Sequence, residues 1–258
     1  MIEIKTGDVL ELLKKTKSDS VDLIVTSPPY TNQRIYGTNI KNRKNDEYVD
    51  WLIDIFRESH RVLKISGSFI LNINDKCEDQ YRSTVIYDLI SRNKRETNLK
   101  LYDSYYWLKK TIQPNCQKKR FNNKTEFIFH FCKDVHQMKF YMKRVLQPSI
   151  QKGCNKLVIP CNVFQFDTAG TLRDNLIHHP APFNKQLPLY FINLLTDEND
   201  LVMDLFSGSG TTGLAAKESN RNYIGFEICS EYAEYSKKRI ENKHKYTINY
   251  KNEIKQIA

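Results

Sequence analysis

The chain has no apolar run approaching the ~20 residues that a bilayer-spanning helix requires, and nothing at its start reads as a signal peptide. Its six cysteines, at 77, 116, 132, 154, 161 and 229, include no C-x-x-C pair and no compact Cys/His cluster. No metal site is therefore expected, and the thiols read as reduced. Internal repeats and low-complexity segments are missing as well. These absences argue against a membrane protein, a disulfide scaffold and a repeat array. They leave a cytoplasmic globular chain as the expectation.

What is present is ordinary in everything but charge. A length of 258 residues suits one large domain, or a domain carrying an insertion, with room for a substantial core. Apolar residues make up 40% and charged residues 27%, both usual for a globular chain. The formal net charge is +10 and the isoelectric point about 9.2, which favours an anionic partner without naming one.

Periodicity gives an alternating order. A helix near Asp8–Lys15 precedes the strand SVDLIVTSPPY, which stops at Thr26 or Ser27. YVDWLIDIFRESHRVLK has a helical period that Gly67 is expected to stop, and the strand SFILNIN follows. Tyr81–Asn93 reads as a helix, and LKLYDSYYWLKK and TEFIFHFCK read as strands. Lys109 to Thr171 has weaker periodicity. Regular order returns with a helix at Asn184–Leu195, the strand DLVMDLF, a helix at Thr211–Lys217, the strand NYIGFEI and a helix at Ser230–Ile240. This alternation implies a mostly parallel α/β sheet with ligands beyond the carboxyl ends of its strands.

Two stretches carry chemistry. In VDLIVTSPPY, Val21 to Tyr30, a buried-looking strand ends in two prolines, each with a locked φ and no N–H. Such a corner is either a turn beside an exposed aromatic or a rim of hydrogen-bond acceptors without competing donors, set beside a flat ring. In VMDLFSGSGTTGLAA, Gly208, Gly210 and Gly213 satisfy G-x-G-x-x-G between strand and helix, and Glu227 ends the next strand. Glycines let backbone approach a ligand, and the carboxylate can accept from two ribose hydroxyls. By itself this loop fits a nicotinamide cofactor, an adenosyl cofactor or a tight turn holding no nucleotide. The stretch from Glu227 to Ala258 is too short for the second half of a dinucleotide domain. Asp204 and Phe206 lie just before the loop, where a carboxylate can meet the ammonium of a methionine-like tail. An acidic lip suits a sulfonium and an ammonium better than a pyrophosphate, which favours S-adenosyl-L-methionine.

Jointly, TSPPY and DLFSGSGTTG resemble the amino-methyltransferases of DNA, which carry an (Asp/Asn/Ser)-Pro-Pro-(Tyr/Phe) motif and a Phe-x-Gly-x-Gly cofactor loop. The proline motif comes first and the cofactor loop last, as in the circularly permuted beta group, and the match extends over most of the chain. The resemblance implies a Rossmann-like α/β methyltransferase domain, helices on both faces of the sheet, built from residues 1–108 and 172–258. Residues 109–171 would be an inserted target-recognition region. S-adenosyl-L-methionine is the implied cofactor, double-stranded DNA the partner, and a cognate restriction endonuclease the functional counterpart. GDVLELL resembles the group's adenine-side segment, which puts Asp8 near the cofactor. HHPAPFNKQLPLYFINLL resembles the segment behind the methionine moiety, with His179, Pro180 and Phe183 in matching places and Asn184 where a proline is common. With Thr26, Asp204, Phe206, Gly208, Ser209, Gly210, Thr211 and Glu227, these complete the implied cofactor set. Ser-Pro-Pro-Tyr is typical of cytosine-N4 enzymes and Asp-Pro-Pro-Tyr of adenine-N6 enzymes, so Ser27 leans the expectation toward cytosine. Adenine N6 is the alternative. A non-catalytic DNA-binding protein retaining the fold and an RNA methyltransferase are further ones.

The residue types answer a chemical need. An exocyclic base amine is a poor nucleophile because its lone pair is delocalised into the ring. Acceptors for both N–H groups favour a pyramidal nitrogen and stabilise the charge that grows there. Ser27 Oγ and the Pro28 carbonyl are the expected acceptors. Pro29 adds no donor, and Tyr30 stacks on a base that has left the duplex. Pro160-Cys161 mimics carbon-5 cytosine chemistry but lacks a Glu-Asn-Val-like partner, and adjacent His178 and His179 rarely converge on one ion. Arg34, Arg43, Lys44, Lys118, Lys119, Arg120 and Arg144 read as phosphate contacts, which position a duplex without selecting its sequence.

Overall fold

The computed structural model describes residues 1–29, 45–75, 77–78, 81–110, 119–148, 157–166 and 184–241. Tyr30, Arg34, Arg43, Lys44, Lys118, His179, Pro180 and Phe183 lie outside the described residues. The chain opens with β1 (Ile2–Thr6), α1 (Val9–Lys14), β2 (Val21–Thr26), α2 (Asn45–Val62) and β3 (Leu63–Ile73). A small hairpin, β4 (Cys77–Glu78) with β5 (Tyr81–Arg82), leads to α3 (Val85–Glu96), β6 (Lys100–Lys109) and β7 (Thr125–Cys132). A second hairpin, β8 (Gln147–Pro148) with β9 (Leu157–Val158), precedes β10 (Val163–Phe166). The last elements are α4 (Gln186–Leu195), β11 (Leu201–Asp204), α5 (Thr211–Glu218), β12 (Asn222–Glu227) and α6 (Ser230–Glu241).

Local chemistry sets several boundaries. Asp8 caps α1, its Oδ1 accepting from the Leu10 N–H at 2.9 Å and the Glu11 N–H at 3.3 Å. Asn184, standing where a proline is common, accepts from the Gln186 N–H at 2.8 Å and so starts α4. Gly67 does not end α2. The helix stops at Val62, the chain passes straight into β3, and Gly67 lies where the register slips between Leu63 and Ser68. Likewise α3 begins at Val85 rather than Tyr81, because Tyr81 is taken up by the hairpin.

Eight strands form one sheet in the order β1-β12-β11-β2-β3-β7-β6-β10. Every pairing is parallel except those of β7, which runs antiparallel to both neighbours. β2 is buried at all of its positions, as a strand covered on both faces must be. Alternate residues therefore feed two cores. Ile24, Phe69 and Leu71 pack with α1, α2 and α3, while Leu23, Val25 and Ile70 pack with α4, α5 and α6. The fold is the mostly parallel, Rossmann-like α/β arrangement.

The boundary expected at residue 109 is not a structural one. β7 lies between β3 and β6, and β10 extends the sheet beyond β6, so two strands from 109–171 are part of the main sheet. The reason is packing. Phe131 joins Phe56 and Phe69 in one core, with ring centroids 5.1 and 5.8 Å away, while Ile128 enters the other. Among the described residues, no helix is long and apolar enough to cross a membrane, and no group of three or more His, Cys, Asp or Glu side chains is placed to hold a metal ion.

β3, β7 and β6 are also joined by a buried polar chain. His130 is fully buried, with Nδ1 3.2 Å from Tyr105 Oη and Nε2 3.0 Å from Ser68 Oγ. Burial holds its pKa down from 6.5 to about 3. Between those values the unfolded chain binds more protons than the folded one, so the contribution of His130 to stability is lost as pH falls through that window. A His130→Gln variant should be less stable near pH ~7.5 yet lose less stability on acidification than the parent. Urea unfolding midpoints at stepped pH measure this; parallel pH dependences would assign the acid sensitivity to other groups.

Candidate active site

Because their strands are parallel, Thr6, Glu227, Asp204, Thr26 and Ile73 all reach one edge of the sheet. That edge is where open α/β sheets hold ligands. β2 and β11 share only the backbone pairs Leu23–Val202 and Ile24–Met203. Beyond them side chains continue the join. Thr26 Oγ1 donates to Asp204 Oδ1 at 2.7 Å, across 178 positions of sequence. The proline corner and the glycine loop, remote in the chain, are neighbours in space.

Asp204 holds more than Thr26. Its Oδ2 accepts from Thr212 Oγ1 at 2.7 Å, and its Oδ1 also takes the Phe206 N–H at 3.1 Å. Burial raises its pKa to about 6, opposed by the bonds from Thr212, Thr26 and Phe206. The carboxylate is 1% exposed. Oδ1 thus takes two donors and Oδ2 one, so the carboxylate is held from inside the protein by Thr26, Thr212 and the Phe206 N–H. Glu227 differs. It is partly exposed, and its Oε2 and Oε1 accept from the Gly208 and Cys229 N–H groups at 2.8 and 3.0 Å. Burial raises its pKa, and these backbone bonds oppose the rise. Each oxygen keeps a second acceptor site, so the carboxylate is aimed and still able to take two hydroxyls.

The glycine loop is shaped as much by protein packing as by any ligand. Gly210 has φ 78°, and a Cβ there would stand 2.8 Å from Ser236 Cβ on α6. At Gly213 a Cβ would stand 2.4 Å from Ile240 Cδ1 and 2.7 Å from the buried Tyr223 ring. Beneath the loop, Arg239 Nη1 donates to Ser209 O at 2.8 Å, Ser209 Oγ at 3.1 Å and Thr211 Oγ1 at 3.3 Å. Ser209 and Thr211 thus turn their hydroxyls toward α6. Phe206 is braced by Trp51 of α2, whose ring centroid lies 5.5 Å away. Sequence reasoning missed Arg239, Thr212 and Trp51. Thr212 had a signal, as a hydroxyl in the first turn after the glycines, whereas Arg239 is one basic residue among many on a charged helix.

The remaining candidates divide. Gly7 N–H donates to Glu227 O at 2.9 Å, which brings Asp8 and the start of α1 beside Glu227. Ser27 follows Thr26 directly, partly exposed, with Pro28 buried and Pro29 partly exposed. Lys119 and Arg120 lie between the end of β6 and the start of β7, on the same edge of the sheet. Arg144 does not. It donates to Thr196 O at 2.8 Å and to Asp197 Oδ1 at 2.9 Å, and stacks 3.7 Å above the Tyr141 ring. Asp197 precedes β11, so Arg144 belongs to the opposite edge, held there by an acidic partner.

The rim thus presents an aimed carboxylate, the Ser27 hydroxyl and the N-terminus of α5, the kinds of partner that a ribose, an ammonium and a carboxylate require. Among the described residues the one buried cation, Arg239, sits under the loop rather than in it. These residues fit S-adenosyl-L-methionine. An acid-tipped glycine loop, facing an acceptor-rich proline corner on a parallel sheet with one reversed strand, defines the amino-methyltransferase class in its permuted motif order. Comparison with known proteins agrees. Residues 21–238 match the N6_N4_Mtase family, described as DNA methylase. The type II methyltransferase M.PvuII of Proteus hauseri is 29% identical over 272 residues, spanning 88% of this chain and 80% of that protein. The DNA adenine methyltransferase YhdJ of Escherichia coli (strain K12) is 31% identical over 245 residues, spanning 91% and 81%. The solved PvuII DNA methyltransferase, cytosine-N4-specific, superposes with a TM-score of 0.76 at 28% identity, covering 97% of this chain and 87% of that one. TTHA0409 of Thermus thermophilus, solved with S-adenosyl-L-methionine, shares the fold at a TM-score of 0.67 and 21% identity, covering 93% of each chain. The chain belongs to the DNA methylase family and is an S-adenosyl-L-methionine-dependent DNA methyltransferase.

Gly210→Ala should cost about 1–3 kcal/mol of stability, from left-handed backbone and overpacking together, and should weaken cofactor binding. Urea denaturation and calorimetric titration with S-adenosylhomocysteine measure the two effects. A variant of parental stability would mean that Ser236 yields without cost.

Proposed function

We propose that this protein methylates the exocyclic N4 amine of a cytosine turned out of double-stranded DNA. The observation that carries the reading is the position of Ser27 and Pro28, directly after the Thr26 hydroxyl bonded to Asp204 and so beside the glycine loop. The cofactor supplies an electrophilic methyl group on a sulfonium. Ser27 Oγ accepts from one N–H of the base amine and the Pro28 carbonyl from the other, which directs the nitrogen lone pair out of the ring plane. Prolines place no backbone donor on that rim. Tyr30 gives the extruded base a face to stack on. Glu227 orients the ribose, and Asp8 lies on the adenine side. In the same reading, the methionine end of the cofactor is assigned to His179, Pro180 and Phe183, on resemblance alone.

Lys119 and Arg120 open on the same edge and position the phosphate backbone. Between them and β7 lies Phe121, 99% exposed. Arg34, Arg43, Lys44 and Lys118 extend this basic surface in the same reading, whereas the engagement of Arg144 with Asp197 removes it from the set. Similarity to type II methyltransferases supports a cognate restriction endonuclease as the functional partner. A second reading, adenine N6, is favoured by the likeness to YhdJ, itself a DNA adenine methyltransferase. Ser27 in the first place of the tetrapeptide favours cytosine.

Nucleoside analysis of mixed-sequence duplex DNA after reaction should show N4-methylcytosine; N6-methyladenine alone would transfer the assignment to the second reading. Ser27→Ala should slow single-turnover methylation about a hundredfold while cofactor affinity stays near the parental value. Unchanged turnover would remove Ser27 from the acceptor pair.

A further inference from the structure

We infer that Asp204 is a positioning residue that couples the cofactor loop to the proline corner, so that each takes up its working geometry only with the other. Three donors from three elements meet on its carboxylate: Thr26 Oγ1 at the end of β2, the Phe206 N–H that begins the glycine loop, and Thr212 Oγ1 in the first turn of α5. The backbone ladder between β2 and β11 ends at Ile24 and Met203, so nothing in that ladder fixes the two strand ends against each other. The Thr26–Asp204 bond does so. Ser27, the expected acceptor, is the next residue along the chain.

The carboxylate has little freedom to satisfy one donor at the expense of another. It is 1% exposed, so water does not replace a lost partner, and a buried charged acceptor left short of a donor is costly. A displacement of Thr26 therefore turns the carboxylate and pulls on Thr212 and on the Phe206 N–H. A displacement of the loop acts back on Thr26 by the same route. Linkage makes the effect reciprocal: whatever the loop's ligand does to the proline corner, occupation of that corner does to the ligand's affinity. The backbone N–H of Gly208 on Glu227 ties the ribose side of the loop into the same segment. The inference rests on the reading of Ser27–Tyr30 as the amine-accepting corner, and the experiment separates the two.

Thr26→Val removes a donor on the proline-corner side, and Thr212→Val removes one on the loop side. In calorimetric titration of the full chain with S-adenosylhomocysteine, without DNA, Thr26→Val should weaken binding about fivefold or more. At saturating cofactor and DNA, Thr212→Val should slow single-turnover methylation about fivefold or more. Thr26→Ser and Thr212→Ser, which keep the hydroxyl, should return each value to within about twofold of the parent, and in an Asp204→Asn background each Thr→Val change should lose most of its effect. Thermal melts of the ligand-free variants report stability separately. Coupling is overturned if Thr26→Val alters the melting temperature but leaves affinity within about twofold of the parent. Should Thr26→Val fail to fold, the Thr212→Val arm and its serine rescue decide alone. If the coupling is wrong but the amine-corner reading right, Ser27→Ala still slows turnover while Thr26→Val binds normally. If the amine-corner reading is wrong, Ser27→Ala leaves turnover unchanged while Thr26→Val still binds weakly.

Discussion

A buried carboxylate sits where two parallel strands run out of backbone hydrogen bonds. Asp204 stands at the end of β11, beside the end of β2, and takes donors from Thr26, Thr212 and Phe206. Burial makes its charge expensive, which is why its pKa rises to about 6 even with those donors in place. The arrangement holds only if the donors stay put. Glycine at 210 and 213, with Arg239 beneath the loop, keeps them there by letting α5 pack close to α6 and β12.

The two edges of the sheet have different work. At the carboxyl edge, acceptors and hydroxyls gather around Glu227, Asp204 and Ser27, with Lys119 and Arg120 further along beyond β6. At the amino edge, ion pairs fasten the strands. Asp22 accepts from the Leu201 N–H at 2.9 Å and from Lys64 Nζ at 2.7 Å, and Lys139 Nζ reaches Asp200 Oδ2 at 2.5 Å. Arg144 on Asp197 belongs to this second set. A net charge of +10 therefore overstates the basic surface available to DNA, because some of those cations brace the fold.

Local chemistry is what a sequence shows best. Two prolines after an apolar run, and three glycines between a strand and a helix, announce themselves because each residue limits or frees its own backbone. The strand alternation that gave the parallel sheet is equally local. Residue 109 misled as a boundary because β7 is placed by pairing with β3 and β6, a long-range choice with no local mark. Gly67 misled because a helix can run into a strand without a turn, its glycine marking a register slip. Asp204 stood in the expected strand end, yet its burial and its bond to Thr26 depend on two segments 178 residues apart. Arg239 acts through a tertiary contact that nothing around it in the chain displays.

The central claim is that the N-terminal proline corner and the C-terminal glycine loop line a single pocket. A crystal structure of the full chain with S-adenosylhomocysteine tests it most directly. The expected result has both ribose hydroxyls on the Glu227 carboxylate and the thioether sulfur turned toward Ser27 and Pro28. A ligand bound away from Glu227, or one whose sulfur faces away from the proline corner, would contradict it.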